Sequence, residues 1–161
     1  ILCSDWSSDV CSSDLSADRR NGYQLALTRH GIVPKPEYCV ELPSITAGED
    51  TPVHALLRSA SRPTAIVVSD DILALTLERI CTETGLSIPA DLSILSFNNS
   101  LFARLTSPQL TSIDINSCQL GMEAAAQMIS HIENPGLPAT KILVPHQLIE
   151  RDSCARPASH E

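Results

Sequence analysis

Apolar positions along this chain follow two alternating rhythms. "TAIVV" (Thr64–Val68) and "DLSILSF" (Asp91–Phe97) are short aliphatic runs with little polar alternation. Runs of that kind predict strands covered on both faces. "YCVEL" (Tyr38–Leu42) and "LTSIDI" (Leu110–Ile115) also read as extended. Between these runs the apolar spacing changes to three and four. Thr51 and Pro52 open a helix, a cap followed by Pro at the first position, with Val53, Leu56, Leu57 and Ala60 as its stripe. "ILALTLERICTETG" follows "SDD" and predicts a second helix, with Leu73, Leu77 and Ile80 on one face and Gly85 as its stop. Asn116 or Ser117 caps a third helix running to about Ile132. Its period places Leu120, Ala124 and Met128 on the buried side, and Pro135 and Pro138 break it. Nearer the front, "DRRNGYQLALTRHG" predicts a short helix from Asp18 that stops at Gly31. "KILVPHQLIER" (Lys141–Arg151) reads as one strand or two short ones.

Strands that alternate with helices predict an α/β fold with a largely parallel sheet. Ligands of such sheets bind at the carboxyl ends of the strands. Three places are therefore candidates: the turn after "YCVEL", the "SDD" after "TAIVV", and the "NNS" after "SILSF".

Composition narrows the function classes. The chain has 161 residues, 43% apolar and 19% charged, as expected of a folded domain. Its net charge of −8 argues against a broad nucleic-acid surface on this chain itself. No apolar run approaches the roughly 18 residues of a membrane span. The six cysteines form no CxxC pair and have no His at ligand spacing, so they are expected to be reduced and not to hold a metal. His30, His54, His131, His146 and His160 are scattered, with no nucleophile or carboxylate at a catalytic spacing. GxSxG, P-loop and GxGxxG motifs are absent, so no catalytic residue, cofactor or enzyme activity is expected.

One stretch fits neither rhythm. "SDWSSDVCSSDL" (Ser4–Leu15) holds two near-copies, "WSSDV" and "CSSDL", with no apolar period. Residues 5–15 resemble a translated sequencing-library adapter, so residues 1–15 are expected to be a non-native, disordered segment. Without Asp5, Asp9 and Asp14 the chain has 16 acidic against 11 basic residues, a net of −5. The chain opens on Ile1, and the expectation is that it begins inside a longer reading frame.

Five segments occur in a telling order: "RRNGYQLAL", "RPTAIVVSDDILAL", "TGLSIPADLSILSFNNSLFARLTSPQLTSIDI", "LGMEAAAQMI" and "LIERDS". Together they resemble the second half of the effector-binding region of the lactose-repressor (LacI) family. Within that family "FNNSLFARLTSPQLTSIDI" is most similar to maltose-operon repressors. The resemblance implies the C-terminal lobe of a periplasmic-binding-protein-like domain, truncated at its N-terminus. Residues 16–153 would form this partial domain, helix 117–132 would belong to the first lobe, and 154–161 would be a polar tail. It further implies a cytoplasmic, sugar-responsive transcription regulator, expected to be a repressor. Its partners would be a small-molecule effector, a second copy in a homodimer, and operator DNA through a headpiece absent from this chain, with no membrane. The alternative is a periplasmic sugar-binding protein of an ABC importer, which shares the fold.

The same resemblance names the effector contacts. Arg20, in "RxGY", would fork two hydrogen bonds to vicinal hydroxyls, unless the neighbouring Arg19 is the relevant guanidinium. One of Asp70 and Asp71 must cap the helix after "TAIVV". The resemblance gives that role to Asp71 and leaves Asp70 to a sugar hydroxyl. Asn98 stands where the family usually carries Asp; its amide both donates and accepts, which suits a neutral polyol. "ILALTLERICTETG" and "LFARLTSPQL" would form the dimer interface.

Overall fold

The computed structural model describes residues 2–4, 10–42 and 52–156. The architecture is α/β. Strands β3 (Ala65–Val67), β4 (Ser93–Phe97) and β5 (Thr111–Asp114) run parallel, and β6 (Gln147–Ile149) closes the sheet antiparallel to β5. A separate parallel pair joins β1 (Leu2–Ser4) to β2 (Val40–Leu42). Helices α2 (Pro52–Arg58), α3 (Asp71–Thr84) and the short α4 (Leu101–Leu105) link and cover the strands. The expected α/β class and mostly parallel sheet are what the structure contains. Thr51, expected to cap α2, lies outside the described residues, as do the turn after β2 and the last residues of the polar tail.

The core sits between α2, α3 and the sheet. Val53 and Leu57 of α2 and Leu73, Ala74, Leu77, Ile80 and Cys81 of α3 meet Ile66, Val68, Leu92, Ile94, Ala103 and Leu110, all fully or almost fully buried. Helix α3 forms where the pattern placed it. Its apolar stripe is covered, and Gly85 ends it with φ +74, its N–H reaching Cys81 O and Thr82 O. Glycine adopts that left-handed angle at little steric cost.

Two helices differ from expectation. Helix α1 spans Val10–Arg29, eight residues earlier than the predicted start at Asp18. A helix once nucleated extends at small cost per added residue. Helix α5 (Ser117–Glu133) has the predicted length but buries none of its residues. Leu120, Ala124 and Met128, expected inside, face outward, because no described element packs over their stripe.

The segment after β6 ties the sheet together. Ser153 Oγ accepts the Thr111 N–H at 2.8 Å and donates to Ile94 O at 2.6 Å. Ser153 O in turn takes the Ile94 N–H at 2.9 Å. One buried serine thus stitches the starts of β4 and β5.

Candidate functional site

The carboxyl ends of β3 and β4 lie side by side, and the polar residues after them fall into two sets. The first set supports the backbone. Asp70 is the last extended residue before α3, and its Oδ1 accepts the Leu73 N–H at 2.7 Å. Asp70 is therefore the helix cap, which corrects the assignment of that role to Asp71. Asp71 already has helical backbone, so its side chain turns back toward the sheet. It is buried, and three donors satisfy it: Ser96 Oγ at 2.5 Å and Ser112 Oγ at 2.8 Å on Oδ1, and the Ser100 N–H at 2.6 Å on Oδ2. A carboxylate out of water needs such partners to remain there.

β4 ends in a turn of two left-handed residues, Asn98 (φ +94) and Asn99 (φ +47). Asparagine tolerates this region better than most side chains. Asn99 is a structural tie. Its Nδ2 donates to Asp114 Oδ2 at 2.9 Å, and its Oδ1 accepts Arg151 Nη2 at 2.5 Å. Arg151 Nη1 also donates to Leu110 O at 2.6 Å. The Asn99 amide, then the Asn116 N–H, hold the Asp114 carboxyl below its ordinary range. "LIERDS" thus serves the sheet through Arg151 and Ser153.

The second set is less committed. The Asn98 side chain is half-buried and makes no hydrogen bond to a described residue. Asp70 Oδ2 lies beyond the cap bond. Ser69 Oγ is buried and lacks a hydrogen-bond partner among the described residues. Helix α1 brings a guanidinium here: Arg19 Nη1 donates to Ser69 O at 2.5 Å, and Arg19 Cζ stands 4.4 Å from the Phe97 ring centroid. Arg20 is half-buried one position further round α1. One residue along a helix is about 100° of rotation, so the two adjacent arginines leave α1 in different directions. Arg19, against Ser69 and Phe97, thus stands beside the two strand ends that Asp70 and Asn98 follow. Reading the sequence missed Ser69. Its only signal was a small polar residue between a buried strand and a helix cap.

Chemically the cluster offers guanidinium N–H groups, a carboxylate oxygen, an amide and an unpaired hydroxyl. Among the described residues no three His, Cys, Asp or Glu side chains gather as a metal site. The cluster is equipped to hold a ligand by hydrogen bonds.

A family model described as a periplasmic binding protein-like domain matches residues 3–154. The chain belongs to that family. The ribose operon repressor of Haemophilus influenzae is 32% identical to this periplasmic binding protein-like domain over 121 residues, covering 75% of this chain and 36% of the repressor. Catabolite control protein A of Priestia megaterium is 29% identical over 137 residues, covering 85% and 41%. Among solved structures, one from Bacillus cereus subsp. cytotoxis, assigned as a LacI transcriptional regulator, superposes with a TM-score of 0.83 at 34% identity. That match covers 96% of this chain and 53% of the other. The domain therefore spans less than half the length of these curated relatives and about half of the solved one. No helix of its described residues is long and apolar enough to cross a membrane.

Proposed function

We propose that this chain is the effector-reading part of a LacI-type transcription regulator, a repressor that responds to a neutral sugar. The observation that carries the reading is the seating of Arg19 on Ser69 and Phe97, next to Asp70 and Asn98 at the carboxyl ends of β3 and β4, in a domain of this family. Arg19 takes the fork assigned to Arg20 in the sequence, and Ser69 Oγ adds a hydroxyl that has no hydrogen-bond partner among the described residues. Asp70 accepts from a ligand hydroxyl through the oxygen not used in capping, and Asn98 reads a second hydroxyl by donating or accepting. A carboxylate and a guanidinium side by side suit a polyol better than a ligand of one charge. The relatives reported above are regulators by name, which favours a cytoplasmic regulator over an importer's binding protein or an enzyme. Operator DNA is contacted by a headpiece outside this chain. The bare face of α5 receives the complementary lobe. A second copy docks on Ile72, Leu101, Phe102 and Leu105, all exposed on α3 and α4.

The test is a nuclear magnetic resonance titration of the full-length protein that carries this chain, with D-ribose and with maltose, the latter for the maltose-operon resemblance. Shifts confined to Arg19, Ser69, Asp70 and Asn98 are expected, abolished by Asn98→Ala and by Arg19→Ala but reduced little by Arg20→Ala. If Arg20→Ala abolishes the shifts and Arg19→Ala does not, the two arginines exchange roles. If neither sugar nor other neutral saccharides move these resonances at millimolar concentration, the proposed site is wrong.

A further inference from the structure

Three consecutive amides in the turn after β4 are each held from a different direction. The Asn98 N–H reaches Ile113 O at 2.9 Å, the Asn99 N–H reaches Ser112 Oγ at 3.0 Å, and the Ser100 N–H reaches Asp71 Oδ2 at 2.6 Å. The turn they hold has φ +94 and φ +47 at two non-glycine residues, a conformation that side chains enter only when their surroundings dictate it. Two of the three anchors are side chains, and they are bonded to each other: Ser112 Oγ donates to Asp71 Oδ1 at 2.8 Å while accepting from Asn99. Both side chains are almost fully buried.

We infer that Asp71 and Ser112 are positioning residues that force the Asn98–Asn99 turn into its left-handed form and so aim the Asn98 amide at the ligand. The aiming rests on the proposed site; the locking of the turn does not. Ser112 acts as a relay. Its hydroxyl hydrogen is committed to Asp71, so its lone pairs stand toward the Asn99 N–H. Asp71 fixes the other end of the turn by taking the Ser100 N–H. The same carboxylate thus joins the start of α3, which Asp70 caps, to the turn that carries Asn98.

Ser96 supplies the control. It also donates to Asp71 Oδ1 and is equally buried, but it bonds no amide of the turn. Amide hydrogen exchange on the full chain reads the difference without a ligand. Ser112→Ala is expected to speed exchange at Asn99 and Ser100 by about tenfold beyond the change in the β4 amides, the factor that a lost hydrogen bond carries. Ser96→Ala is expected to change the turn and β4 together. Ser112→Thr keeps the hydroxyl and is expected to restore turn protection relative to β4, even if the added methyl lowers overall stability. Equal effects of Ser112→Ala and Ser96→Ala, scaling with global stability, would overturn the inference. So would loss of turn protection in Ser112→Thr. Titration with D-ribose and maltose keeps the two ideas apart. No sugar response in the unsubstituted full-length protein breaks the site, whereas a preserved sugar response and a preserved turn in Ser112→Ala break the positioning role.

Discussion

Helices α3 and α5 have similar amphipathic patterns and opposite fates. In α3, Leu73, Leu77 and Ile80 disappear under α2 and the sheet. In α5, Leu120, Ala124, Met128 and Ile132 recur every four residues on one face, yet Met128 is 66% and Ile132 71% exposed. Periodicity states which face of a helix is apolar. It does not state whether anything is present to cover that face. The difference is a difference in neighbours, and it makes the two helices unequal in what substitutions cost.

The largest effect is expected in α3. Leu77→Ala removes a fully buried side chain and is expected to cost about 2–5 kcal/mol, read as a lower midpoint in denaturant unfolding. A loss below 1 kcal/mol would mean that α3 is no better packed than α5. The next effect concerns the cap. Asp70→Ala is expected to cost about 1 kcal/mol by removing the acceptor of the Leu73 N–H, while Asp70→Asn or Asp70→Ser retains most of the stability. If Asp70→Ala is neutral to folding, the cap lies elsewhere.

A third prediction sharpens the contrast through pH. Glu78 of α3 is half-buried, its Oε1 lacks a hydrogen-bond partner among the described residues, and burial pushes its carboxyl up to about 7. A pKa raised on folding favours the protonated form. Its stabilising effect is therefore complete below the unfolded value near 4.5 and is lost as pH rises through about 7. Glu78→Gln is expected to stabilise the chain at pH 8 by about 1 kcal/mol, a figure reduced for the solvent that still reaches the side chain, and to do little at pH 4.5. Equal effects at both pH values would show that Glu78 is solvated like a surface residue. The smallest effect belongs to α5. Met128→Ala is expected to change stability by no more than about 0.5 kcal/mol in thermal unfolding. A loss comparable with that of Leu77→Ala would reveal a cover over α5.

The contrast also shows what the sequence made legible. Strands of continuous aliphatic residues and a helix with a three–four stripe, an acidic start and a glycine stop announce themselves through local patterns. The parallel order of β3, β4 and β5 follows from their alternation with helices. The site was legible to the level of strand ends, where Asp70 and Asn98 stand. It was not legible to the level of single side chains. Choosing between Arg19 and Arg20 depends on helix phase, where one residue changes the direction by about 100°. Choosing the cap between Asp70 and Asp71 depends on where extended backbone becomes helical, which two identical residues cannot reveal. The tie of Asn99 to Asp114 and Arg151 joins residues far apart in sequence, and no local signal marks it.

Ser153 carries a consequence for the order in which the molecule assembles. Its bonds to Thr111 and Ile94 close loops of 42 and 59 residues. β4 and β5 can pair earlier, but the Ile94 carbonyl and the Thr111 N–H lack this protein partner until the distant serine arrives. Long closures lose chain entropy before any contact compensates for it, and they slow folding. The sheet is therefore completed from its far end in sequence. Without Ser153 in place, Ile94 O and the Thr111 N–H are open to water or to another chain.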